Sequence, residues 1–124
     1  MFEIAFDSST RVLRLRLSGF WTIGTMVRFT AALLTKAITL RFRGSDYSVL
    51  SDAREFPIQS KDVADGFTAL MNRAAAYHRG KTAILVANPL SKMQAERTLQ
   101  GDGVRVFLDS VEAEEWLELP QHAA

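Results

Sequence analysis

The side chains that could do chemistry in this chain stand at the ends of short apolar runs. Asp52 and Arg54 follow Tyr47-Ser48-Val49-Leu50-Ser51. An acid and a guanidinium two residues apart can anchor a polar partner, or can pair with each other inside a turn. Ser60 follows Ile58-Gln59. Asn88 follows the apolar run 82–87 and has Ser91 three residues on, while Asp109 and Ser110 follow the run 104–107. Each of these is also a type that caps a helix or shapes a turn, which explains the positions one by one. His78 and His122 belong to no His/Asp/Glu group with ligand spacing, so no metal is expected. The absence of cysteine excludes thiol catalysis, disulfides and thiolate metal sites. No serine has an evident histidine and acid partner. Gly101-Asp102-Gly103 precedes an apolar run instead of following one, which makes it a turn and not a phosphate cradle. The pattern offers binding, with no catalytic residues and no cofactor.

A second set is apolar. Phe20, Trp21, Met26, Phe29 and Leu33 could line a pocket for a small apolar or lipid-like ligand, since such residues line most pockets. The simpler reading makes them ordinary core.

The elements that must position these residues follow from periodicity. Phe2, Ile4 and Phe6, then Leu13, Leu15 and Leu17, alternate with other residues at period two and read as half-buried strands. Asp7-Ser8-Ser9-Thr10 is turn chemistry that makes them a hairpin. Thr22 is placed to cap a helix running to about Arg41 or Phe42, with Gly44 as its stop. The apolar residues from Ile23 to Leu40 cover about half of that helix, wider than an ordinary surface stripe. A second contact is expected, with a neighbouring helix, another subunit or a ligand. A strand at 47–52 leads to a helix starting at Ser60 or Asp62 and ending near Tyr77, closed by His78-Arg79-Gly80. The run 82–87 is continuously apolar, as in a central parallel strand. Asn88-Pro89 opens a helix to about Gln100. A strand at 104–107 follows. Asp109 and Glu112 then form a capping box for the last helix, which Pro120 ends.

The order is β-β-α-β-α-β-α-β-α. The expected fold is α/β: a two-layer, mostly parallel five-stranded sheet with the first strand antiparallel at the edge. Asp52, Arg54, Ser60, Asn88, Ser91 and Ser110 would then share the carboxyl-end rim, where parallel sheets place their sites. Arg14, Arg16 and Arg105 would face the uncovered side.

The chain has 124 residues, enough for one core; residues 1–120 read as one domain and 121–124 as a frayed tail. Its 15 basic and 14 acidic residues give a net charge of +1, too small for a single-sign field that attracts nucleic acid. The basic residues are not interleaved with aromatics as a single-strand platform requires. No signal-peptide pattern opens the sequence, and no apolar run reads as long enough to cross a bilayer. The expected location is cytoplasmic.

Several segments carry a likeness to known proteins: the hairpin into Gly19-Phe20-Trp21-Thr22, the strand Tyr47-Ser48-Val49-Leu50-Ser51-Asp52, and Ala83-Ile84-Leu85-Val86 with Met93-Gln94. Val106-Phe107 followed by Glu112-Ala113-Glu114-Glu115-Trp116-Leu117 completes the set. Together they resemble the SpoIIAA-like fold of STAS domains, and in particular the uncharacterised bacterial STAS-like proteins. The resemblance implies a non-catalytic protein-interaction or regulatory module. Antagonist members carry an Asp-Ser-Ser/Thr-Gly stretch at the second helix, whose serine a partner kinase phosphorylates. The matching stretch here is Ile58-Gln59-Ser60-Lys61-Asp62, which lacks the acidic residue and the glycine and sets Ser60 slightly out of register. A protein partner and assembly into a homo-oligomer, most simply a dimer, are the expectations; a carrier or sensor of a small apolar molecule is the alternative.

Overall fold

The computed structural model describes residues 1–44, 46–74, 80–99, 101 and 103–119. The expected ends of the second helix near Tyr77 and of the last at Pro120 lie outside the described residues, as do His78, His122, Asp102 and the tail.

Nine elements run in the expected order: β1 Phe2–Asp7, β2 Val12–Ser18, α1 Ile23–Phe42, β3 Ser48–Glu55, α2 Lys61–Ala74, β4 Thr82–Leu85, α3 Pro89–Thr98, β5 Val104–Phe107 and α4 Ser110–Trp116. The sheet order is β1-β2-β3-β4-β5, with β1 antiparallel to β2 and every other pair parallel. Each strand therefore lies beside its neighbour in sequence, and α1, α2 and α3 are crossovers on one face.

The turn between β1 and β2 is organised by Asp7. Its Oδ1 accepts the Ser9 amide at 3.0 Å, the Ser9 hydroxyl at 2.7 Å and the Thr10 amide at 3.4 Å. Arg11 then takes the left-handed conformation, φ 57°, that reverses the chain. These bonds, the Ser9 hydroxyl foremost, hold the Asp7 carboxyl at a pKa of about 2, below its ordinary 3.8. A carboxylate depressed in this way stabilises the fold above its ordinary value, and the contribution is lost as pH falls toward about 2. An NMR titration should place the Asp7 midpoint near 2, and Ser9→Ala should return it toward 3.8. A wild-type midpoint at 3.8 would mean that the turn bonds do not form in solution.

Alternation sorts the strands into two faces. On the first, Leu13, Leu15, Leu17, Val49, Ile84 and Val106 meet α1, α2 and α3. Trp21 is 2% exposed and stands among Phe2, Phe29, Phe56 and Phe67, with ring centroids 4.9–5.8 Å away. Edge-to-face and tilted aromatic contacts of this kind add to the burial itself. On the second face, Val12, Leu50, Ala83, Leu85 and Phe107 pack against Ala113 and Leu117. The two-layer scheme therefore gains a partial third layer. α4 is not a crossover, and it folds back over β4 and β5. Arg14, Arg16 and Arg105 lie on this second face, and the Arg105 guanidinium sits 5.6 Å from the Phe107 ring centroid.

Thr22 caps α1 through its hydroxyl, which accepts the Thr25 amide at 3.2 Å, and Gly44 follows the helix at φ +66°. Asp109 accepts the Val111 amide at 3.0 Å, but among the described residues Glu112 makes no return bond, so the cap is one-sided. Gly66 has a packing reason: a Cβ there would lie 2.8 Å from Met26 Cγ, so the glycine lets α1 and α2 approach.

The breadth of the apolar face of α1 resolves into two parts. Met26, Phe29, Leu34, Ala37 and Leu40 are buried, whereas Ile23, Val27, Ile38 and Phe42 remain exposed. The expectation that no apolar run is long enough to cross a bilayer does not hold for α1 by length and composition. At 20 residues, with a window hydropathy of 1.3, α1 is long and apolar enough to cross a bilayer by those measures. In the structure its buried side faces β1 and α2.

Candidate functional site

The carboxyl ends of the parallel strands gather the turn into α1, the loop from β3 to α2, the cap of α3 and the start of α4. A side chain to which the sequence pattern assigned no role joins the first two. Gln59 Oε1 accepts the Trp21 amide at 2.7 Å, and its Nε2 donates to the carbonyls of Gly19 at 3.1 Å and Pro57 at 2.6 Å. One amide side chain thus fixes two loops that are 38–40 residues apart in sequence. Nothing in local pattern marks a glutamine for this, because its partners are backbone groups of a distant turn.

Asp52 lies within β3, as the expected strand 47–52 has it, and Arg54 lies within it too, not beyond its end. The strand runs on to Glu55 because β2 keeps pairing with it across an irregularity between Arg16 and Ser18. Two residues apart on a strand, they share a face, and it is the second face. Arg54 Nε donates to Asp52 Oδ1 at 3.1 Å, its terminal nitrogen to Oδ2 at 2.9 Å, and its amide to Oδ1 at 3.1 Å. This fork lowers the Asp52 pKa and raises that of Arg54. Arg16 reaches Glu55 at 3.5 Å beside it, and the four charged side chains with Leu17 line a shallow hollow of about 130 Å³.

The other expected rim residues are caps or stand at helix starts. Ser60 Oγ accepts the Val63 amide at 3.4 Å, and Asn88 Oδ1 accepts the Ser91 amide at 2.8 Å. Ser110 is the first residue of α4. All six lie at the same end of the sheet, but Ser60, Asn88 and Ser91 belong to the helices of the first face, while Asp52, Arg54 and Ser110 belong to the second. Among the described residues no three His, Cys, Asp or Glu side chains group as metal ligands.

The apolar candidates divide in three ways. Phe20 is turned out to solvent, 67% exposed, because Gly19 at φ +77° redirects the chain and Trp21 takes the inward place. Trp21 and Met26 are buried in the core. Phe29 and Leu33 line a cavity of about 600 Å³ between the first face of the sheet and the crossover helices. Leu15, Val49 and Ile84 of the sheet and Phe67 of α2 contribute to its walls, with Ile58 and Gln59 at the rim. Ile58, Leu90 and Met93 join Phe20 and Ile23 as exposed apolar side chains at this end of the molecule.

No family model matches the chain, and neither does any curated protein. Among solved structures it is similar to the anti-sigma factor antagonist SpoIIAA in its unphosphorylated form. The TM-score is 0.66 at 12% sequence identity, covering 98% of this chain and 100% of that one. The chain therefore has the SpoIIAA-like α/β fold, a five-stranded sheet with its first strand antiparallel and the rest parallel.

Proposed function

We propose that this chain is a cytoplasmic, non-catalytic interaction module that engages a protein partner at the strand-end rim. The observation that carries the reading is the set of exposed apolar side chains there. Phe20 and Ile23 stand at the start of α1, and Ile58 lies in the loop that Gln59 ties to the same turn. Clustered exposed apolar groups beside a charged pair fit an interface with an apolar centre and polar rim. The Asp52–Arg54 fork supplies the polar margin. The similar solved structure is of an anti-sigma factor antagonist, and that likeness of fold supports the reading of a protein-binding role.

The test is a set of exposed substitutions, Phe20→Asp with Ile23→Asp, and Arg54→Ala separately. A partner identified by cross-linking and rebuilt with purified components should bind the double variant at least about tenfold more weakly, since apolar anchors dominate interface energy. Stability should hold within about 0.5 kcal/mol, as for ordinary surface changes. A reconstituted complex indifferent to both variants rejects the surface.

The exposed stripe Ile23, Val27, Ile38 and Phe42 along α1 favours a second copy of the chain as an additional partner. Light scattering at micromolar concentration reads this directly, and a clean monomer rejects it.

A further inference from the structure

We propose that the cavity between the first face of the sheet and α1, α2 and α3 binds an uncharged, mainly apolar small molecule that carries one hydrogen-bonding group. The inference does not rest on the partner reading above.

Protein interiors are close-packed, and voids larger than a water molecule are few. A space of about 600 Å³ is an exception of the size that small-molecule sites occupy, roughly 300–1,000 Å³. Its walls are Leu15, Val49 and Ile84 from the sheet, Phe29 and Leu33 from α1, and Phe67 from α2. Water fills the apolar part of such a space poorly, because each molecule needs two to four polar partners and these six side chains offer none. An apolar molecule makes the missing dispersion contacts instead.

The polar groups define the rest of the ligand. Among the described residues that line the cavity, none is an Asp, Glu, Lys, Arg or His. A carboxylate, phosphate or ammonium inside would lose its hydration with no opposite charge to compensate. Neutral groups are present. Ser51 on β3, 7% exposed, is the one buried polar residue among those described, and it lies in the sheet wall between Val49 and Ala53. Gln59, Ser91 and Gln94 stand toward the rim end. The exposed Pro57, Ile58 and Gln94 carry the cavity to the surface there. A hydroxyl, ketone, amide or ester fits this arrangement, with its apolar body along Leu15, Val49 and Ile84.

The test titrates decanol and, separately, decanoate into the full chain at neutral pH, read by methyl NMR of the leucine, isoleucine and valine residues and by thermal melting. Decanol should shift the Leu15, Val49 and Ile84 methyl signals saturably and raise the melting temperature. Decanoate should bind at least about tenfold more weakly, because its charge has no partner inside. Ala64→Phe and Ala95→Phe each place a ring at the cavity wall and should abolish the decanol shifts. Ser51→Val should weaken decanol binding about tenfold while keeping the fold. Absence of saturable shifts in the wild type overturns the site. Decanoate binding as tightly as decanol overturns the neutral class of ligand. If both phenylalanine variants lose their fold, the wild-type comparison of alcohol with acid still decides, and a folded variant that binds like the wild type overturns the location.

Discussion

Trp21→Ala is expected to cost about 3–5 kcal/mol, the range for removing a large aromatic from a packed core. Set against the roughly 5–15 kcal/mol that holds a domain of this size together, this loss removes a large share of the stability. Trp21 earns this size of effect from its surroundings. Four phenylalanines from β1, α1, the loop after β3 and α2 close around it, and its indole Nε1 donates to the Ser18 carbonyl at 3.0 Å. Alanine would open a void at the meeting point of these segments and leave that carbonyl without its indole donor. Urea unfolding monitored by circular dichroism checks this. An unfolding free energy within about 0.5 kcal/mol of the wild type would mean that the aromatic cluster does not hold the molecule together.

Gln59→Ala is expected to be the largest effect of any polar substitution, about 1–3 kcal/mol, because it leaves a part-buried backbone donor unpaired. The change should appear locally as well as globally, as faster hydrogen exchange of the Trp21 amide. Gln59→Glu separates the contributions. The carboxylate can still accept from the Trp21 amide, but it cannot donate to the carbonyls of Gly19 and Pro57 and sets a charge against them. It should therefore be at least as destabilising as alanine. Unchanged exchange at Trp21 in both variants would show that the two loops hold their positions independently.

The legible part of the fold was written in local pattern. Alternation in Leu13-Arg14-Leu15-Arg16-Leu17, the continuous apolar run at Ile84, and the caps Thr22 and Asn88 each encode their element within a few residues. The position of α4 was not legible. α4 does not lead into another strand of this sheet, which would fix its side, and the packing of Ala113 and Leu117 on Leu85 and Phe107 reveals it. The continuation of β3 through Arg54 was hidden for a related reason: polar residues do not read as strand, and pairing with β2 overrides their local preference. The rim residues were named because strand ends are predictable. Their division between two faces was not, because it depends on strand parity beyond Asp52. Phe20 and Trp21 show the limit most plainly. Adjacent aromatics read alike in sequence, and one glycine conformation decides which enters the core.

The consecutive strand order has a kinetic consequence. Because β1, β2, β3, β4 and β5 lie side by side as they are synthesised, no strand has to be inserted between two that are already paired. Each addition needs the closure of only the loop just made, which keeps the entropy of every step close to that of its predecessor. The hairpin can act as a seed from which the sheet grows outward in one direction, so ribosomal emergence and assembly run in the same sequence.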